Sequence, residues 1–179
     1  MLPITIPSFE YYDEKNGKIV TVKERELQLE HSLVSISKWE SKWKKSFLST
    51  QRMTRDETID YIRCMTLTQN VDPKVYLGIN AKVMKKVHEY INDSMTATTF
   101  RKKPQKSGSS VITSEVIYYW MVELGIPMEC QKWHLNRLLT LIRVCDEKGQ
   151  PGKKMSKRDV MSQYRSLNAA RRAKYGTRG

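Results

Sequence analysis

Along the chain, apolar positions change from a two-residue to a helical rhythm near Ser32. Before that point the short runs "ITI" (4–6) and "FEYY" (9–12) read as extended. "DEKNGKIVTV" then sets Asn16-Gly17 between two β-prone runs, a strong local hairpin signal. "ELQLEH" (26–31) alternates and adds a further strand. A lone hairpin is marginal in water, so this element must lean on other structure.

After Ser32 the spacing is helical. Ser32 is placed to cap a helix running through "LVSISKWESKWKKSF", with Ile36, Trp39, Glu40 and Trp43 on one face. Thr54 and Glu57 form a capping box ahead of "TIDYIRCMTL". Asp72-Pro73 is a helix-start pair. Asn80 caps "AKVMKKVHEYI", whose stripe is Val83, Met84, Val87 and Ile91. Thr113 starts a helix with Ile117, Trp120, Met121 and Leu124 in register, ended by Gly125. Pro127 opens the next, which carries Leu135, Leu138, Leu139, Ile142 and Cys145 on one side. A last helix starts near Ser156 and runs to about Ala170. Strands do not alternate with helices, which argues against a parallel nucleotide-binding sheet. The expected fold is mainly α: a compact helical domain of about five to seven helices (32–170) with a small N-terminal β-hairpin element (1–31). A mobile basic loop at 101–110 and a frayed basic tail at 171–179 complete it.

Composition fits one domain: 179 residues, 39% hydrophobic and 28% charged. No apolar run approaches the roughly 20 residues that cross a bilayer. The N-terminal residues lack the pattern of a signal peptide, so the expected setting is a cytoplasm. Three cysteines without C-x-x-C spacing fit a reducing compartment. The net charge of +13 is uneven: residues 146–179 hold ten basic and three acidic side chains. That asymmetry favours an anionic partner or, equally, a merely solubilising tail.

The candidate chemistry is sparse. "KKMSKR" (153–158) spells the ATP-clamping loop of class I aminoacyl-tRNA synthetases, but no H-x-G-H partner exists. Ser156 and Asp159 instead make a capping pattern. Cys130 and His134 are one helical turn apart, yet two further zinc ligands cannot be named. No catalytic grouping is supported, and no metal, cofactor or enzymatic activity is expected. Trp39 and Trp43, flanked by Lys38, Lys42, Lys44 and Lys45, make an aromatic and basic stripe. It reads as a docking face or as core edged by lysine stems, and aromatics at helical spacing usually belong to the core. Nine methionines suit either an adaptable docking surface or an irregular core.

Several strings together carry a resemblance: "QLEHSLVSISKWESKWKKSFL", "TIDYIRCMT", "SMTATTF", "TSEVIYYWM", "IPMECQKWHLNRLLTLIRVC" and "KKMSKRD". From about Leu27 to Asp159 the chain resembles a family of small proteins of long-tailed, siphovirus-type bacteriophages, placed among the tail assembly chaperones. The resemblance implies a non-enzymatic protein of the host cytoplasm. It would bind the tape measure protein, alongside tail tube protein, and cover apolar helical stripes. The family supplies no known site residues. Candidate protein contacts, from the residues themselves, are Trp39, Trp43, Trp120, Met121 and Trp133. Candidate phosphate contacts, for an alternative nucleic-acid-binding role, are Lys38, Lys42, Lys44, Lys45, Arg101, Lys102, Lys103, Lys153, Lys154, Lys157, Arg158, Arg171 and Arg172. A connector or minor tail component that stays in the virion is the other alternative.

Overall fold

The computed structural model describes residues 1–14, 16–50, 52–100 and 111–149, with 161–162, 164–168 and 171–172. The expected loop at 101–110 and the "KKMSKR" run fall outside these residues. The chain divides into two units, Met1–Val144 and Cys145–Gly179.

The first unit is mostly helical with N-terminal β structure. Strands β1 (Leu2–Ile6) and β4 (Arg25–Leu29) pair antiparallel, as do β2 (Phe9–Asp13) and β3 (Lys18–Val22). Both ladders share one register, with Leu2 opposite Leu29 and Phe9 opposite Val22. They therefore form one long hairpin, interrupted where Pro7 lacks an N–H to donate. Gly17, at φ 60°, closes the turn by donating its N–H to Asp13 O at 2.8 Å. Alternation puts Ile4, Ile6, Leu27 and Leu29 on one fully buried face. The far edge of β4 is covered by the chain after the second helix. Leu67 N–H donates to Gln28 O at 2.8 Å, and Glu30 N–H to Met65 O at 2.9 Å.

Helices α1 (Leu33–Trp43), α2 (Arg55–Met65), α3 (Ala81–Asn92), α4 (Ser114–Glu123) and α5 (Leu135–Gly149) follow. Short 3-10 helices span Pro73–Gly78 and Met128–Lys132. The expected caps Ser32, Thr54, Asp72 and Asn80 all accept backbone N–H bonds. α1 packs on α2 and α4, while α3 packs on β1. Their shared core includes Leu33, Ile36, Trp39, Ile62, Met65, Val87, Ile117, Met121, Leu135 and Leu138.

Three expectations need correction. First, α1 ends at Trp43 rather than Phe47. Lys44 takes a left-handed φ of 55°, and the buried Glu40 carboxylate accepts the Phe47 N–H at 2.8 Å. Its other oxygen accepts the Ser114 N–H at 2.7 Å. Thr113 makes no side-chain cap, so Glu40 of α1 supplies the anion at the N-terminus of α4. Second, one helix does not run on from Pro127. The 3-10 helix stops before Trp133, and α5 begins only after His134. Third, the inward stripe of α3 uses Tyr90, whereas Met84 and Ile91 are half-buried.

In the second unit, residues 161–162, 164–168 and 171–172 are helical. Met161, Tyr164 and Leu167 are exposed there, as are Arg165, Arg171 and Arg172. No helix of the described residues is long and apolar enough to cross a membrane.

Two substitutions test the packing. Glu40→Ala strands two backbone donors and should cost about 2–4 kcal/mol in urea unfolding, with Glu40→Gln milder. In Gly78→Ala the new Cβ would meet the Phe9 ring and lie 2.9 Å from Ile6 Cγ2. A loss of about 1–3 kcal/mol is expected; an unchanged midpoint for either alanine variant would contradict this packing.

Candidate docking cleft

The segment Glu30-His31-Ser32 ends the ribbon, begins α1 and is wholly buried. Each residue reaches a different helix or helix start. Glu30 accepts the Tyr90 hydroxyl from α3 at 2.7 Å. His31 Nδ1 lies 2.5 Å from the Tyr61 hydroxyl of α2. Ser32 caps α1 and bridges to His134, and the Leu135 N–H donates to His31 O at 2.7 Å.

His134 links these contacts. A carbonyl oxygen can only accept, so His134 Nε2 carries the proton donated to Tyr90 O at 3.0 Å. Nδ1 then accepts the Asn136 N–H at 3.3 Å. The Asn136 side chain in turn donates to Ile91 O and Asp93 O, holding the C-terminus of α3 to the start of α5. Both ring nitrogens of His134 are thus engaged within the protein. Cys130 lies in the preceding 3-10 helix, across a break, so the pair is not one turn of a single helix. Among the described residues no group of three His, Cys, Asp or Glu gathers as a metal site.

Burial, then the neighbouring His134, pushes the His31 imidazole down to about 3. Burial pushes the Tyr61 phenol up. Both groups therefore stay in their neutral forms across the physiological range.

Beside this junction opens a cleft of about 580 Å³. Its lining includes the buried Glu30, Ser32, Tyr90 and His134, already bonded to one another or to nearby backbone. Its apolar lining comes from Val34, Leu67, Met95 and Trp133, together with the fully buried Met65. Leu67 and Met95 are 52% and 38% exposed there. Lys38, Lys132 and Arg137 also line it, and the Arg137 guanidinium sits 4.3 Å from the Trp133 ring centre.

The structure scatters the sequence-derived contact residues. Trp39 and Met121 are fully buried, so neither offers a docking surface. Trp39 donates Nε1–H to Glu57 O at 2.9 Å, and the half-buried Trp43 donates to Asp60 Oδ2 at 2.9 Å. The Trp39–Trp43 stripe therefore faces α2. Trp120 is half-buried on α4, beside Tyr119 and Val122, which are 60% and 71% exposed. Only Trp133 of the five lines the cleft.

The lysines separate in the same way. Lys42 pairs with Asp60 at 2.5 Å, and Lys45 with the buried Glu57 at 2.6 Å. Those two cations thus neutralise the protein's own carboxylates. The Lys45 hydrogen bond, followed by the Thr54 backbone, holds the Glu57 carboxyl below its usual range. Lys44 is the C-cap of α1, and Lys38 lines the cleft. Arg171 and Arg172 are exposed in the second unit. Arg101, Lys102, Lys103, Lys153, Lys154, Lys157 and Arg158 lie outside the described residues.

Sequence reasoning missed Lys132, Arg137, Met95 and Leu67 as one group, because they come from separate elements. "KWHLNR" did hold three cleft residues besides the capping His134. Compared with known proteins, the chain matches no family model, and no curated protein or solved structure shows significant similarity to it.

The buried histidine makes acid stability diagnostic. An unfolded His31 takes up a proton near 6.5, but the folded one resists until about 3. Stability should therefore fall as pH drops through that window, by up to about 1.4 kcal/mol per pH unit from this group. Glu57, depressed in the fold, adds loss only below the ordinary carboxylate range. Urea midpoints of wild type and His31→Gln between pH 6.5 and 5 separate the two groups. The variant should show a flatter slope there, and parallel slopes would exclude His31 as the cause.

Proposed function

We propose that the protein is a non-enzymatic assembly chaperone of a long-tailed bacteriophage. It transiently covers apolar helical stripes of the tape measure protein before the tail tube forms around it. The observation that carries this reading is the cleft beside the Glu30–Ser32 junction, with Met95, Leu67 and Trp133 as its accessible apolar lining. Exposed or half-exposed apolar side chains on a helical unit suit the capture of an amphipathic helix in a groove. Methionine adapts to varied apolar partners without a fixed rotamer. The buried polar part of the lining is already bonded within the protein, so it does not call for a small polar substrate. The resemblance of residues 27–159 to tail assembly chaperones agrees with this reading, and the host cytoplasm is its setting.

A second reading rests on the exposed Arg165, Arg171 and Arg172 in the second unit, which suit contacts with nucleic-acid phosphates. Binding to random duplex DNA that falls steeply with salt would favour it.

Co-expression with the tape measure protein of the same phage tests the main reading. The chain should raise the soluble fraction of that protein several-fold and co-purify with it, yet be absent from finished particles by mass spectrometry. Unchanged solubility would remove the chaperone assignment. Stoichiometric presence in particles would instead make the chain a connector or minor tail component.

A further inference from the structure

We propose that the cleft selects acidic amphipathic helical segments over neutral or basic ones, an inference that rests on the docking role above. Apolar side chains of the segment enter against Trp133, Met95 and Leu67, while its flanking carboxylates meet Lys38, Lys132 and Arg137.

The argument is one of charge complementarity. Where α1 meets α2 the chain neutralises Lys42 with Asp60, and Lys45 with Glu57. The cleft cations are not paired in this way. Among the described residues, Lys38, Lys132 and Arg137 take part in no ion pair. The carboxylate in the cleft lining, Glu30, is engaged by the Tyr90 hydroxyl and the Met1 amine, the latter at 2.9 Å. Three cations from α1, the 3-10 helix at Met128–Lys132 and α5 thus surround an apolar opening without an internal counter-charge. Stacking on Trp133 fixes the Arg137 guanidinium beside the apolar wall, where a carboxylate next to a buried side chain would lie. A neutral apolar groove would accept any stripe; this rim repels basic stripes and favours acidic ones.

The test uses the full chain and three dye-labelled 18-residue probes in fluorescence anisotropy. All carry leucine at i, i+3, i+4 and i+7; the remaining positions are mainly Glu, Gln or Lys. The Glu probe should bind about tenfold or more tighter than the Gln probe at low salt, and the Lys probe weakest. Lys132→Glu with Arg137→Glu should abolish or reverse that order. Lys82→Glu with Lys86→Glu changes net charge equally at exposed positions on α3 and should leave it intact. Trp133→Ala should weaken both the Glu and the Gln probe, the Glu probe more because Arg137 also loses its support.

Equal binding of the Glu and Gln probes, with both lost in Trp133→Ala, would overturn acidic selectivity while leaving the docking cleft. Equal losses in the two charge-reversed pairs would make the effect one of bulk charge and overturn it too. Displacement of the Glu probe by an equimolar single-stranded oligonucleotide would show the rim to be a phosphate site rather than a peptide site. Failure of every probe to bind would count against the cleft itself, and so against the docking role.

Discussion

The fold depends on one buried polar junction, the consecutive residues Glu30, His31 and Ser32. They join the β ribbon to α1, and their side chains and backbone bind α2, α3 and the start of α5. Polar groups without water partners are costly, so each has a specific mate. Apolar packing alone would let helices slide over the ribbon. Directional bonds to Tyr61, Tyr90 and His134 fix where each helix sits. An aromatic series runs through the same place, with ring centres of His31 and His134 5.0 Å apart and of Tyr90 and His134 4.9 Å apart. The cleft lies beside this junction because the polar side chains that bind the elements together also line it.

Much of the local structure was legible in the sequence. Alternation located the ribbon, and Ser32, Thr54, Asp72 and Asn80 located helix starts, because a cap acts on backbone within three residues. The helix ends were less legible. Glu40 accepts the Phe47 N–H only seven residues on, but it also caps α4 through a bond that spans 74 residues, which no local window contains. His134 breaks the run after Pro127 for a similar reason: its ring is held by Tyr90, far away in sequence.

The site was legible only in part, and in an instructive direction. The richest aromatic and basic stripe, Trp39 to Lys45, reads in the sequence as either surface or core. Asp60 and Glu57 decide the matter, since they draw Lys42 and Lys45 across to α2 and accept the Trp43 side-chain and Trp39 indole bonds through side chain and backbone respectively. A lysine beside a tryptophan on one helix therefore says little until the facing helix is known. Trp133 lay in a less conspicuous string, yet it lines the cleft because the chain breaks at His134 and turns the preceding residue outward. Docking surfaces assembled from three or four elements leave no periodic trace.

Hydrogen exchange in the free protein tests the central role of the junction most directly. The Glu30 N–H, given to Met65 O, and the Leu135 N–H, given to His31 O, should exchange only through global unfolding, with the highest protection in the chain. Amides near the ribbon turn around Gly17 should open far more readily. Exchange of Glu30 and Leu135 at rates like those of the ribbon turn would contradict the account, because the junction would then be a consequence of the fold rather than what fixes it.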